Sequence, residues 1–255
     1  KMSWKIKQTK SVELKEPILI SGLPGIGNVG KIAVDFIIDS LQAQKIYEIT
    51  SHHFPHCVFI NESNMVELPI IEIFHKKVKD QDLLFLAGDI QPLDEISCYQ
   101  FCDHMLELMG KYNTKEIITL GGVALDKIPE VPTIYCTGNN LGIINKYKPK
   151  INDIQKIVGP IVGVSGLLVG LAKKKKIKGV ALLAETYGHP NYLGLKSART
   201  LLMHLNEKLN LKLKLKDLDL EIKEIEHDLE DISKQTKVKK RLRPTFTHDT
   251  INYIG

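Results

Sequence analysis

The stretch Ser21-Gly-Leu-Pro-Gly-Ile-Gly-Asn-Val-Gly30 decides the fold expected of this chain. The apolar residues before it, Pro17-Ile-Leu-Ile20, predict a buried strand, and the apolar spacing from Val29 to Leu41 predicts a helix. A strand, a glycine-rich turn and a helix form a common anion-binding corner of α/β proteins. The spacing Gly25-x-Gly27-x-x-Gly30 also satisfies the dinucleotide fingerprint. The sequence leaves open whether this corner holds a phosphate or only lets the chain turn tightly.

Strands and helices alternate along the rest of the chain. The segment Asp82–Ala87 is apolar without alternation, which is typical of a strand buried on both faces. The pattern predicts a three-layer α/β/α sandwich with a mixed, largely parallel sheet. The other predicted strands are Lys45–Ile49, Cys57–Ile60 and Val66–Phe74 (a hairpin around Asn61–Asn64), Glu116–Leu120 (ending at Gly121-Gly122), Thr133–Cys136 and Lys178–Ala184, and the helices are Leu93–Lys111, Val162–Lys174 and Leu195–Leu209.

The composition changes after about Asn210. We therefore expect an α/β core over residues 1–210, a charged amphipathic helix over 211–242 and a flexible tail over 243–255. One apolar stripe follows heptad-like spacing along that helix and cannot be buried by the helix alone. The stripe lies on its own domain or on a sister subunit, and the almost entirely charged remainder of the helix favours the sister subunit. The predicted oligomer contacts are Leu215, Leu218, Ile222, Ile225, Leu229 and Ile232.

Bulk properties exclude several classes of protein. The net charge of +5 is concentrated in two runs, Lys173–Lys178 and Lys237–Arg243. Such runs favour a solvated helix end or a rim facing an acidic partner over a nucleic-acid interface. The cysteines have no framework spacing, no signal peptide precedes the first strand, and no apolar run is long enough for a membrane span. We expect a cytoplasmic protein that binds neither nucleic acid nor membrane.

Two groups of residues could form ligand sites, and each also has a plainer structural interpretation. A dinucleotide would be held by Gly25, Gly27 and Gly30, with Glu48 near the end of the next strand holding the ribose. The alternative is that the glycines supply positive φ angles and close helix–strand packing. For metals, His52-His-Phe-Pro-His-Cys57 is an irregular cluster, and Cys98 and Cys102 are four residues apart on a predicted helix. Surface histidines and core thiols are the favoured interpretations, so no metal or cofactor is predicted.

Candidate catalytic groups follow the predicted strands at the edge where α/β sites gather. Asp89, Asp94 and Glu95 follow one strand, and Glu185 and His189 follow the last. An acid–base pair of Glu185 and His189 beside the first glycine loop is the enzymatic alternative, a nucleotide- or nucleoside-binding enzyme using Gly22–Gly30. The chain has neither a Gly-x-Ser-x-Gly elbow nor a phosphate loop ending in Gly-Lys-Ser/Thr. A catalytic set is therefore not predicted.

Four segments taken in order resemble the proteasome assembly chaperone family, specifically its archaeal homologues. Their order and spacing carry the resemblance over roughly residues 15–210, and the first glycine block is the most specific of them. The charged helix and the Tyr-Ile-Gly ending also fit. The segments are Gly22–Gly30, Leu120-Gly-Gly122 with Pro132–Tyr135, Gly159–Gly170 and Ala184–Pro190.

The resemblance implies an α/β domain related in fold to purine nucleoside phosphorylases (a phosphorylase- or hydrolase-like sandwich) without their catalytic equipment. It implies a homo-oligomer that binds the α-subunits of the 20S proteasome as an assembly chaperone or activator. Relatives engage the ring through a tail ending in a hydrophobic residue, tyrosine and any final residue. This chain ends Asn252-Tyr253-Ile254-Gly255, so its tyrosine is third from the end. The expected ring contacts are Ile251, Tyr253, Ile254 and Gly255.

Overall fold

A computed structural model describes residues 4–149, 159–216, 218–220 and 222. The chain divides into two units, Lys1–Lys214 and Leu215–Gly255, so the first unit ends close to the predicted core boundary at residue 210. Among the described residues, no helix has both the length and the apolar character required to cross a membrane. The first unit is built from ten strands and five helices in the described ranges, given next in chain order.

The elements follow one another with short connections. They are β1 (Trp4–Gln8), β2 (Ile18–Ser21), α1 (Val29–Leu41), β3 (Gln44–Ser51), β4 (Phe59–Ile60), β5 (Val66–Glu67), β6 (Ile71–Val78), β7 (Gln81–Gly88), α2 (Glu95–Lys111), β8 (Glu116–Leu125), β9 (Ile134–Gly138), α3 (Leu141–Tyr147), α4 (Val164–Ala172), β10 (Lys178–Tyr187) and α5 (Leu195–Leu209).

The main sheet has eight strands in the order β1-β3-β6-β7-β2-β8-β10-β9. Strands β7, β2, β8 and β10 run parallel to one another at its centre, and antiparallel pairs form both margins. Helix α1 contacts α5, and helix α2 contacts α4. Leu19 of β2 belongs to the hydrophobic core that also includes residues of α2 and α4. The predicted three-layer sandwich is confirmed, with a mixed sheet whose central strands are parallel.

The centre of the sheet is buried because its strands are covered on both faces. Leu83, Leu84, Phe85 and Leu86 of β7 are all at most 1% exposed. Burying apolar side chains of this size contributes about 1.5–3 kcal/mol each. The prediction that Asp82–Ala87 is a strand buried on both faces is therefore confirmed.

The predicted hairpin around Asn61–Asn64 is partly wrong. The turn is present, and Asn61 accepts hydrogen bonds from the amides of Ser63 and Met65 through its side-chain oxygen (both 3.0 Å). However, the second strand is not continuous from Val66 to Phe74. Pro69 lies between β5 and β6, and a proline cannot donate the ladder hydrogen bond that an uninterrupted strand requires. As a result β4 and β5 form a separate two-stranded sheet, whereas β6 joins the main sheet.

Two strands extend beyond their predicted ends. Strand β8 runs through Gly121 and Gly122 to Leu125, and β10 runs past Ala184 to Tyr187, in parallel register along their whole length. The predicted end at the glycine pair is wrong because these glycines are pairing residues inside the strand. Because glycine has no side chain, Gly122 also leaves room for the turn after β2.

Candidate functional site

The turn after β2 is closed by contacts between backbones. A Cβ atom on Gly22 would lie 2.1 Å from the carbonyl oxygen of Gly30, and a Cβ atom on Gly30 would lie 2.3 Å from that of Leu120. Real Cβ contacts are never this short. Glycine at both positions lets the start of α1 lie directly against β2 and β8, which is the close helix–strand packing that the sequence offered as the alternative to a ligand.

The same turn is fixed to the loop before α5. Gly27 has a φ angle of +60°, in the left-handed region that favours glycine. Its carbonyl oxygen accepts a hydrogen bond from the amide of Gly194 (2.8 Å). On the strand side, a Cβ atom on Gly122 would lie 2.5 Å from the carbonyl oxygen of Ile26. The glycines of β8 thus make room for the turn itself.

The position of Glu48 does not fit the dinucleotide interpretation. Strand β3, which carries Glu48, is separated from β2 by β6 and β7. Adjacent strands are about 4.8 Å apart, so β3 lies roughly 14 Å from β2. The carboxylate of Glu48 pairs with Lys45 at 2.7 Å and Lys7 at 3.8 Å. The hydrogen bond from Lys45 lowers the pKa of the Glu48 carboxyl, which is part of a surface ion-pair network.

A cavity of about 520 Å³ opens at the carboxyl edge of the central strands, next to the turn. This is the crevice where open α/β sheets bind ligands. Among the described residues, none of the side chains that line it is basic and most are aliphatic, so this part of the lining offers no cation to pair with a phosphate. The lining residues are Leu23, Pro24, Gly25, Ile26, Gly30, Gln91, Pro92, Leu93, Leu120, Gly121, Gly122, Val123, Ala124, Gly159, Pro160, Ile161, Val162, Gly163, Ser165 and Leu183.

Gln91 connects the loops around this cavity, and sequence reasoning missed it. Its side-chain amide donates to the carbonyl oxygen of Pro24 (2.7 Å), and its side-chain oxygen accepts from the amide of Val164 (3.3 Å). One side chain therefore joins the turn after β2 to the start of α4. The only sequence signal was its place, three residues after a central strand, because a glutamine alone predicts no particular chemistry.

Glu185 is a structural carboxylate. It lies inside β10, so the prediction that it follows the strand is wrong. It accepts hydrogen bonds from the Thr133 amide (3.0 Å) and the Tyr135 hydroxyl (2.8 Å). Burial alone would raise the pKa of Glu185, but these hydrogen bonds outweigh it and the pKa is lowered. A carboxyl that stays ionised is a poor general acid at neutral pH.

His189, the suggested partner of Glu185, and the acidic candidate Asp94 have local roles. The ring of His189 stacks on Tyr187, and its Nδ1 accepts a hydrogen bond from the amide of Asn191 (3.3 Å). Asp94 is the N-cap of α2 and accepts from the amide of Ser97 (2.9 Å). Since these hydrogen bonds and stacking contacts account for the two side chains, the geometry does not single out an acid–base pair.

The histidine and cysteine motifs were the candidate metal ligands. Within the described ranges, no group of three or more His, Cys, Asp or Glu residues is placed to hold a metal ion. His53 stacks on Trp4, 5.9 Å between ring centroids. Cys98 and Cys102 are buried free thiols of α2, as the sequence favoured, and Cys57 is exposed.

The predicted oligomer and ring contacts are mostly outside the described residues. Of the stripe, Leu218 and Ile222 are helical and buried, and the amide of Asp219 bonds to the carbonyl oxygen of Leu215 (3.0 Å). The remaining stripe residues, Ile225, Leu229 and Ile232, and the tail residues Ile251, Tyr253, Ile254 and Gly255, lie outside the described part of the chain. Both sets of contacts stay predictions.

Comparison with known proteins places the chain among relatives of similar length. Residues 19–233 match the model of the PAC2 family. The crystal structure of Pyrococcus furiosus PbaB, an archaeal proteasome activator, matches 91% of this chain and 99% of PbaB with a TM-score of 0.82. The two sequences are 32% identical. P. furiosus PbaA, an archaeal homolog of proteasome-assembly chaperone, is 23% identical with a TM-score of 0.77, over 92% and 94% of the two chains, and shows the same fold. Uncharacterized protein MJ1210 of Methanocaldococcus jannaschii is 26% identical over 98% of this chain and 96% of its own length.

Proposed function

Since this chain belongs to the PAC2 family, we propose that it is a non-enzymatic assembly chaperone or activator of the proteasome that binds the α-ring of the 20S particle. The observation that carries the proposal is the similarity to PbaB, which extends over nearly the whole of both chains. A shared fold alone does not imply a shared function. The similarity to PbaB goes beyond the fold, because the two sequences are also 32% identical over nearly their whole lengths.

The chemistry of the edge cavity supports a binding role without a reaction. The lining residues that the structure describes include no basic side chain, and the Glu185 carboxylate of β10 is held by Thr133 and Tyr135. Largely aliphatic walls with backbone groups suit apolar side chains of another protein better than a phosphorylated metabolite. We therefore assign no catalytic residue.

The contact with the ring is proposed to involve the C-terminal tail. Ile251, Tyr253 and Ile254 would enter pockets between α-subunits, and the carboxylate of Gly255 would pair with a lysine there. Copies joined through the Leu215–Ile232 stripe would present several tails at once. Several weak contacts on one scaffold raise the overall affinity through effective concentration.

The test is retention on immobilised 20S proteasome. We compare the full chain with a chain lacking Thr250–Gly255, and with the matched single variants Tyr253→Ala and Thr250→Ala. The truncated chain and Tyr253→Ala should lose at least about tenfold in apparent affinity, as expected for an aromatic anchor, whereas Thr250→Ala should bind like the parent. Native mass of each variant checks that assembly is unchanged. Equal retention of all four would remove the tail from the mechanism, and failure of the parent itself to bind would overturn the proposed function.

A further inference from the structure

A recess of about 730 Å³ lies at the amino edge of the central strands, at the other end of these strands from the 520 Å³ cavity. Its lining includes the residues directly before β8 and β10. Helix α2 contributes its last residue, Lys111, the turn between α4 and β10 contributes Lys175 and Lys176, and Lys115 is the residue before β8. We call this site the lysine recess.

Most of these lysines have no counter-charge. The Lys115 ammonium pairs with the Glu16 carboxylate at 2.9 Å. In contrast, Lys111, Lys175 and Lys176 are exposed and form no salt bridge with any residue that the structure describes. Three ammonium groups therefore face one concave surface with only water around them, and charges of one sign around a cleft concentrate the potential there.

Nearby carboxylates offset only part of this charge. Glu107 is the one carboxylate in the described lining of the lysine recess, and it lies 3.7 Å from Nδ1 of His104. Lys174 lines a different recess together with Asp94 and Glu95, whose two charges outweigh its own, so it does not add to the lysine recess.

The ends of the two helices explain only a part of the lysines. Each helix carboxyl end carries about −0.5 elementary charge, so α2 and α4 together carry about −1. Lys111, Lys175 and Lys176 bring three positive charges, and the exposed Lys173 and Lys178 bring two more beside them in the chain. Even after Glu107 is subtracted, the cations exceed what the helix ends can offset.

The composition of the recess favours carboxylates over nucleic acid. Among the described lining residues there is no arginine to bind phosphate in a bidentate manner, and no aromatic ring on which a base could stack. The lining also includes the apolar residues Leu106 and Ile177. Flexible lysines can each take one carboxylate, while the apolar lining accommodates the methylene groups of an acidic side chain or an apolar neighbour.

We propose that the lysine recess binds an acidic segment of another protein, with Asp or Glu carboxylates paired to Lys111, Lys175 and Lys176. For the run Lys173–Lys178 the sequence favoured either a solvated helix end or a rim facing an acidic partner, and the excess of charge around a concave surface favours the partner. The proposal does not depend on the proteasome or on the C-terminal tail, so it can fail or hold independently of the proposed function.

The first experiment measures binding of an acidic peptide to the purified full chain. The probe is a short fluorescein-labelled peptide of repeated Glu-Glu-Leu, and its uncharged counterpart repeats Gln-Gln-Leu. Fluorescence anisotropy is recorded at about 0.15 M salt, where the Debye length is about 8 Å and distant charges are screened. The acidic peptide should bind saturably and the glutamine peptide should not. Equal binding of both peptides, or no binding of the acidic one, would overturn the proposal.

Charge reversal then tests the recess. The triple variant Lys111→Glu, Lys175→Glu and Lys176→Glu should weaken the binding at least about tenfold, because it removes three surface attractions and adds repulsion. The control variant, which should stay within about twofold of the parent, reverses three exposed lysines outside the recess, Lys10, Lys79 and Lys127. Each triple reversal changes the formal net charge from +5 to −1, so an equal loss in both would mean general attraction and would refute the recess.

A second measurement needs no variant. A carbodiimide joins the carboxylates of the bound peptide to lysines of the parent chain, and mass spectrometry identifies the linked residues. Links to Lys111, Lys175 and Lys176 should be several-fold more abundant than links to the three control lysines. Links mainly to the basic run Lys237–Arg243, or stronger displacement of the peptide by a single-stranded oligonucleotide than by unlabelled peptide, would assign the binding elsewhere and overturn the proposal.

Discussion

The glycine turn after β2 is closely packed, whereas the small hairpin of residues 57–68, which consists of β4, β5 and their turn, leaves apolar side chains exposed. In the turn, Gly22 and Gly30 bring backbones together so closely that no side chain fits between them. In the hairpin, side chains such as Ile60 and Val66 extend into solvent and touch little. In the motif that resembles a ligand site, Gly22 and Gly30 are therefore packed against backbone, whereas the segment without a recognisable motif exposes apolar side chains.

The largest expected effect comes from adding one methyl group to the turn. Gly22→Ala should reduce the free energy of unfolding by about 3 kcal/mol or more, because the new Cβ overlaps the carbonyl oxygen of Gly30. Gly25→Ala is the control, since nothing lies within 4 Å of a Cβ there and the change should stay within about 1 kcal/mol. Urea unfolding followed by circular dichroism measures both. Similar midpoints for the two variants would mean that the turn is open enough to hold a ligand.

A smaller effect is expected from Glu185→Gln, which removes the charge that holds Thr133 and Tyr135. We expect a loss of about 1.5 kcal/mol at pH 7, as for hydrogen bonds to a charged group. Because the folded pKa is lowered, the stabilisation is present above the unfolded pKa of about 4.3 and disappears as the pH falls through the folded value. Parent and variant should therefore converge in stability in acid. The exposed Glu130→Gln serves as control, and a constant gap at all pH values would argue against the assigned role of the Glu185 charge.

The smallest effect compares the same substitution in the sheet centre and in the hairpin. Ile20→Val removes a methylene from a fully buried site in β2 and should cost about 1 kcal/mol. Ile60→Val removes it from a mostly exposed site and should cost less than about 0.5 kcal/mol when measured at concentrations where the chain is monomeric. If Ile60→Val were as costly as Ile20→Val, the hairpin would be part of the folded core and the contrast between the two regions would fail.

Local pattern predicted much of the fold and little of the site. The strand Asp82–Ala87 was recognised from its continuous apolar residues, and the helix after the glycine turn from its helical apolar spacing. Both signals come from residues that are close together in sequence. Strand β1 was missed although Trp4-Lys-Ile-Lys-Gln8 alternates, since it is short and at the sheet margin. Helix α3 was missed as well, although Asn140 caps it by accepting from the amides of Gly142 and Ile143.

The site could not be predicted because it depends on which strands are neighbours. Glu48 looked suitable for a ribose on the assumption that β3 lies beside β2, but β7 and β8 occupy both neighbouring positions. Gln91 gains its role only from contacts with Pro24 and Val164, which are distant in sequence. Residue type and spacing do not predict contacts between residues that are distant in sequence. The family resemblance, in contrast, correctly predicted the fold and the family.

The central position of β2 also has a consequence for biosynthesis. Both of its partners, β7 and β8, are translated much later than β2 itself. Contacts between segments so far apart slow folding, and at roughly 5–20 residues per second the ribosome takes several seconds to deliver them. During that interval the Ile18-Leu-Ile20 edge is open to wrong pairing. Until β8 has been synthesised, β2 has at most one of the two strands that flank it in the finished sheet.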